Sequence, residues 1–228
     1  MANVDFEVTD DFNVKIWNQY VDNIFNSFYI KPAYKISESL ILEGEWLHQN
    51  QVGDGGSSVD SLRYFNQKSS DVLGMKIAYK SKAGLVSLSY NRVLPHGQFI
   101  SPREWGREDL FSFQKRERSE GSADNHALVL NYKQEFKILK EDLNLISILS
   151  IGKHWKPDVT NAILNKYAMP DYTHINLDIF FKIKKIKNLR PELLITSKMG
   201  NGDIQDNPNF YFNKVDLFHL DIILNYNF

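Results

Sequence analysis

One polar stretch, PHGQFISPREWGREDLFSFQKRERSEGSADNHALVLNY, sets Arg103, Arg107, Lys115, Arg116 and Arg118 against Glu104, Glu108, Asp109, Glu117 and Glu120. A guanidinium holds a carboxylate in a planar, two-point manner, so arginines confined in a narrow space select the anionic end of a solute. Acids such as Asp109 receive an amino or guanidinium end, and rings of such charges are a basis of pore selectivity. The competing reading is that these charges pair with one another and only hold the stretch folded. Other groupings carry less chemistry. The six histidines show no H-E-x-x-H spacing, and cysteine is absent, so neither a zinc site nor a thiolate nucleophile is expected. Ser101 lies outside any G-x-S-x-G elbow. Glu43 and Glu45 share a strand face, as glycosidase carboxylates can, with no separation across a cleft to read. GDGG near Gly53 occurs once and reads as a flexible turn. No catalytic residue, metal or cofactor is therefore expected, and an enzyme is not.

The elements that must position these charges are strands. Period-two runs fall at about 3–8, 13–22, 28–37, 40–49, 71–81, 85–94, 126–136, 143–155, 174–185, 190–199 and 215–228, near the ten-residue strand length of outer-membrane barrels. Connections alternate in length: TDD, SES, KAG, KILKED and KIKN are tight, whereas NQVGDGGSSVDSLRYFNQKSS and KPDVTNAILNKYAMPDYT are long, and only DNIFNS breaks the alternation. Short turns at one end and long loops at the other suit a transmembrane barrel. Pro32 interrupts its run, so a bulge or strand boundary is expected there.

The faces agree. Ile175, Leu177, Ile179, Phe181 and Ile183 share one side of a strand, and Asn176, Asp178, Lys182 and Lys184 the other. Leu73, Met75, Ile77 and Tyr79 oppose Lys76 and Lys80; Leu40, Leu42 and Trp46 oppose Glu43 and Glu45; Leu128, Leu130 and Tyr132 oppose Asn131, Lys133 and Glu135. In a β-sandwich the ionic side is a solvated outer surface; in a barrel it lines water and the apolar side meets lipid. Loop sorting favours the barrel. Lys15, Lys31, Lys76, Lys133, Lys182 and Lys198 are then the inward candidates for a basic track, while Lys184 adjoins a turn. Trp17, Tyr20, Trp46, Tyr79, Tyr90, Trp155, Tyr226 and Phe228 are candidates for the aromatic girdles.

Composition permits this. A net charge of -1 gives no reason to expect nucleic acid. The mean hydropathy of -0.38 looks soluble, and no run approaches the ~18 apolar residues of a membrane helix. A barrel strand is half polar and hides from such averages.

The segment SPREWGREDLFSF…RERSEGSADNHAL resembles the corresponding part of the OprD (Occ) family of substrate-specific outer-membrane porins: the Arg-Glu-Trp-Gly-Arg run, an acidic residue before Leu-Phe, then Arg-Glu-Arg and Gly-x-x-Asp. The last run, LFHLDIILNYNF, ends on Phe228 and resembles the terminal strand read by the barrel-assembly machinery. The resemblance implies an all-β, antiparallel transmembrane barrel of eighteen strands, monomeric, with inward-folded loops forming an eyelet and a basic ladder guiding carboxylate-bearing solutes. The opening MANVDFEVTDDF has neither a basic n-region nor an apolar h-region, and about eleven strands fall short of eighteen. The expectation is therefore a single domain, residues 1–228, forming the C-terminal portion of such a porin, with an inward-folding loop at about 96–125.

By this resemblance Ser101, Arg103, Arg107, Glu108, Asp109, Arg116 and Arg118 belong to the eyelet, in a protein of the bacterial outer membrane. Amino acids, carboxylates and short peptides are the expected solutes, outer-membrane lipid and the assembly machinery the expected partners. Alternatives are a soluble β-sandwich binding module, or a barrel whose loops carry an adhesin or enzyme activity.

Overall fold

The fold was obtained as a computed structural model, which describes residues 2–101, 109–116, 119–138, 143–186, 188–202 and 215–227. The strands are β1 (Ala2–Thr9), β2 (Phe12–Val21), β3 (Phe25–Lys35), β4 (Leu40–Gln51), β5 (Ser69–Ser81), β6 (Gly84–Val93), β7 (Asn125–Ile138), β8 (Leu143–Trp155), β9 (Tyr172–Ile183), β10 (Leu189–Gly200) and β11 (Leu217–Tyr226). They form one 11-stranded sheet in which every strand pairs with its sequence neighbours, and the pairing is antiparallel throughout. A sandwich needs two sheets, so that alternative is set aside. Among the described residues no helix is long and apolar enough to cross a membrane.

Local chemistry explains the tight turns. Thr9 Oγ1 accepts from the N–H groups of Asp11 and Phe12, at 3.3 and 3.1 Å. Ser37 Oγ likewise accepts from Ser39 and Leu40, and Ser81 closes the turn at Lys82 and Ala83 through the Ala83 N–H. Hydroxyls that take up turn amides favour short reversals over longer loops. The connections at the opposite end run over 52–68, 94–124, 156–171 and 201–216, with only 22–24 short.

Pairing registers assign the two faces. Leu73, Met75, Ile77 and Tyr79 on β5 are 45%, 60%, 44% and 54% exposed, while Val72 and Ala78, of the opposite parity, are buried. Leu220, Ile222 and Leu224 on β11 are equally bare. A contiguous apolar surface of this kind on a sheet with no second layer is made for lipid. Tyr20, Trp46, Tyr79, Tyr90, Trp155 and Tyr226 lie on this outer face; Phe228 is outside the described residues. Trp17 does not belong with them. It is opposite the inward Tyr29 and meets it edge-on at 6.2 Å, because position 17 shares its parity with Lys15, the partner of Lys31.

The expected break at Pro32 does not occur. β3 runs through it, the Val14↔Pro32 pair keeps the β2 register, and pairing with β4 resumes at Ala33↔Glu43 in the register of Ile30↔Trp46. The ring removes one donor, and its fixed φ is tolerated in extended backbone.

The core lies between the inner face and the long loop. Tyr29, Leu47, Val72 and Val93 from the wall enclose Phe99 and Leu110 from the loop. Phe25 packs on Phe65 and Ile100, and Met169 and Tyr172 pack on Val215.

The facing assignment is testable on β7. Leu130→Arg, on the outer face, is expected to cost about 2–4 kcal/mol, whereas Asn131→Arg, facing inward, forfeits one hydrogen bond and about 1 kcal/mol. Equilibrium unfolding of the complete barrel in lipid vesicles checks this, and equal losses would refute the assignment.

Candidate functional site

Residues 109–116 cross the inner face of the sheet, bonded in turn to strands from β3 to β11. On β3, Tyr29 Oη lies 2.6 Å from the Asp109 carbonyl and shares its one proton with the Glu45 carboxylate. Lys31 Nζ donates to the same carbonyl at 2.5 Å and sits 3.1 Å from the Asp109 carboxylate. On β4, Glu45 Oε1 accepts the Phe111 N–H at 2.9 Å. On β6, Asn91 Oδ1 accepts the Ser112 N–H at 2.7 Å. Gln114 reaches His154 on β8 at 3.1 Å and the His174 carbonyl on β9 at 3.3 Å. Lys115 stands between Asp178 on β9 and Glu192 on β10, at 2.9 and 2.5 Å. Arg116 reaches Asp221 on β11 through two nitrogens, at 2.9 and 3.2 Å.

This sequence of contacts measures the curvature. From Ser112 to Arg116 an extended chain covers at most about 14 Å, yet β6 and β11 are about 24 Å apart along the sheet. The segment takes the chord of a curved wall, and its long side chains span the remainder.

Glu45 organises one end of the chord. It is 4% exposed and receives donors from Tyr29, Asn91 and the Phe111 backbone, with Lys31 Nζ at 3.6 Å. A buried carboxylate is tolerable only when so satisfied. Room for it comes from Gly74, where a Cβ would meet the Glu45 and Asn91 side chains at 2.6 Å or less. Gly152 plays the same part at the other end, since a Cβ there would lie 2.0 Å from Gln114 Oε1.

Amide side chains hold the approach to the chord as a strand would. Gln49 accepts the Ile100 N–H at 2.9 Å and donates to its carbonyl at 2.8 Å. Gln67 makes the same two-point bond to Gln98, whose own amide donates to Ile163 at 2.7 Å. The returning leg pairs with the next loop through Ala123 to Leu164 and Lys166 to Gly121. In that loop, the Thr160 hydroxyl and N–H, both at 2.7 Å, hold the Asp158 carboxyl below its usual range.

Of the residues singled out from sequence, Asp109 and Arg116 lie on the chord, and Ser101 follows Ile100 in the half-buried approach. Arg103, Arg107, Glu108 and Arg118 lie outside the described residues. Lys15, Lys31, Lys76, Lys133, Lys182 and Lys198 all take inward parity. They are not alike. Lys31 and Lys76 face Glu45 and Glu43, Lys76 at 2.7 Å from its partner. Lys198 is 1% exposed and rests over the Tyr172 ring at 4.4 Å. Lys133 and Lys182 stand nearer the short-turn end, beyond the chord.

Sequence reasoning missed Tyr29, Asn91, Gln114 and Glu192; it set Asp178 and Glu45 on ionic strand faces and gave neither a part in seating the loop. The available signal was polar residues and glycines at inward positions in the long-loop halves of the strands. Among the described residues no group of His, Asp and Glu side chains is arranged to hold a metal ion.

An apolar outside, a polar inside and a loop bonded across the concavity define part of the wall of a transmembrane β-barrel. The particular likeness is to the OprD/Occ outer-membrane porins. Over 98% of this chain, Acinetobacter baumannii OccAB2 superposes with a TM-score of 0.69 at 12% identity, and Pseudomonas aeruginosa OccK5 with 0.69 at 13%. The outer membrane protein OprD of Pseudomonas aeruginosa gives 0.63 at 13%. The chain spans 53%, 56% and 57% of those proteins, little more than half of each. It has the fold of these porins. No family model and no curated protein matches the sequence.

Glu45→Leu removes the acceptor shared by Tyr29, Asn91 and the Phe111 N–H, at a cost on the order of 2 kcal/mol or more. The expected result is faster tryptic cleavage at Arg116 in the folded barrel, with Glu45→Gln largely protected. Identical protection of both variants and the parent would contradict the role given to Glu45.

Proposed function

We propose that the chain forms a large arc of the wall, and the constriction loop, of an outer-membrane porin that passes small polar solutes by passive, partly selective diffusion. The observation that carries this reading is the chord: a loop bonded in turn to β3, β4, β6, β8, β9, β10 and β11 stands across the concave face and narrows whatever passes it. β1 and β11 each have one unpaired side, and open edges are not sustained in hydrocarbon. Further strands therefore complete the ring, and the resemblance to the OprD/Occ porins supports reading the whole as an eighteen-stranded, monomeric barrel in a bacterial outer membrane, with this chain as its C-terminal portion. The run LFHLDIILNYNF, which contains β11, engages the assembly machinery in this reading.

The charges favour amino acids and short peptides among the expected solutes. Lys31, Lys76, Lys115 and Arg116 each face a carboxylate within 4.0 Å, so the wall offers both signs side by side, and a solute carrying both ends finds a partner for each. Arg103, Arg107, Glu108 and Arg118 are assigned to the same eyelet.

Single-channel recording of the complete barrel in planar bilayers tests this. The parent protein is expected to give small steps that a carboxylate-bearing solute blocks. Lys115→Ala with Arg116→Ala, which frees the β9–β11 end of the chord, is expected to raise the step size severalfold. Silence in the bilayer would dispose of the porin reading; unchanged steps in the double variant would dispose of the chord as the constriction.

A further inference from the structure

Beyond the chord, on the short-turn side, the inner face is not uniformly polar. Ile146 and Ile148 on β8 are inward by the parity of Ser150, which bonds to the inward Asn131. Ile146 lies opposite Phe180 on β9; Phe180 is the diagonal neighbour of Leu194 on β10, and Leu194 of Ile223 on β11. Together these side chains form an apolar ledge across β8 to β11. Leu194 is buried, whereas Ile146, Ile148, Phe180 and Ile223 are half-buried and belong to none of the clusters packed on the loop. Lys115, tied to Asp178 and Glu192, rests its Nζ over the Phe180 ring at 4.7 Å, so the ledge begins directly beneath the chord.

The charges beside the ledge are placed to complement it. Lys133 and Glu135 on β7 lie opposite Ile148 and Ile146. Both are exposed, and as second neighbours they stand about 7 Å apart on one face. Among the described residues Lys133 bonds to no acid, and Glu135 accepts only from Asn144, which leaves one carboxylate oxygen open. Lys31 and Lys76 are held by acids of the wall; here a cation and an anion are both open to a solute.

Resting on the porin reading above, we propose that this part of the lumen is a subsite for a free amino acid with a branched or aromatic side chain. Lys133 takes the carboxylate and Glu135 the ammonium. The side chain lies on Ile146, Ile148 and Phe180, where it covers apolar surface that otherwise faces water. The sheet sets this geometry, because the row from Glu135 through Ile146 to Phe180 runs from a charged strand onto apolar positions beside the pair Lys133 and Ile148. A charged side chain finds no partner on the ledge, and a solute lacking the ammonium leaves Glu135 facing a carboxylate, so both are disfavoured.

Single-channel recording of the complete barrel, with solute in both chambers, tests the subsite. L-phenylalanine and L-leucine are expected to interrupt the current at about tenfold lower concentration than L-serine, the gain that covering a few apolar carbons gives. 3-Phenylpropionate, which lacks the ammonium, is expected to block severalfold less well than phenylalanine. Phe180→Asn and, separately, Ile146→Asn are expected to bring phenylalanine down to the level of serine, whereas Phe180→Leu keeps most of the preference. Where one polar variant fails to insert, the other decides. Equal block by phenylalanine and serine, equal block by phenylalanine and phenylpropionate, or a preference that survives the polar variants overturns the subsite and leaves the porin reading standing. Silence of the parent protein in the bilayer overturns both.

Discussion

A single-layer sheet has nothing behind it. When its outer face is apolar and bare, cohesion must come from the strand ladder and from whatever fills the concave side. Here the filling is the protein's own loop, and the charge at the heart of the contact is the Glu45 carboxylate. Buried among Tyr29, Asn91, Lys31 and the Phe111 N–H, it ties a loop segment to three strands. Remove that acceptor and the donors facing it have only each other.

The rest of the seat follows the same economy. Backbone groups of a loop inside a barrel cannot join the sheet, since every strand in its interior is already paired on both sides. Gln49 and Gln67 supply the missing partners with side-chain amides, each reading one loop residue as a neighbouring strand would. Gln114 does the reverse, extending a loop amide to His154 and His174 on the wall. Charge closes the far end, where Lys115 links Asp178 with Glu192 and Arg116 holds Asp221. Such a loop is fixed at many points of modest strength, so its position is well defined while the water-filled side remains polar.

In the proposed porin, the distribution of charge along the wall bears on transport. A row of unopposed cations would hold anions tightly and pass them slowly; cations each set beside a carboxylate attract both signs weakly, which suits passage better than capture. The inward lysines divide along this line. Lys31 and Lys76 are balanced by Glu45 and Glu43, Lys198 is covered by Tyr172, and Lys133 and Lys182 stand apart nearer the short turns.

Alternation was legible from the sequence because it is local. A residue and its second neighbour share a face wherever the backbone is extended, so the apolar set of β5, β9 and β11, the short turns closed by Thr9 and Ser37, and the sorting of long loops to one end could all be read off the chain. Residue type misleads where parity decides: Trp17 reads as a girdle residue for being aromatic, though it shares the parity of Lys15 and its register puts it inside with Tyr29. Pro32 was given a break that extended backbone does not need. The seat of the loop was illegible for a different reason. That Glu45 meets Phe111, or that Gln114 fills the space left by Gly152, depends on how tightly the sheet curls, and curvature sums small twists over many strands. The sequence by itself determined which side of each strand faces water and which faces lipid; only the curled tertiary structure decided which residues, far apart along the chain, would meet across the hollow.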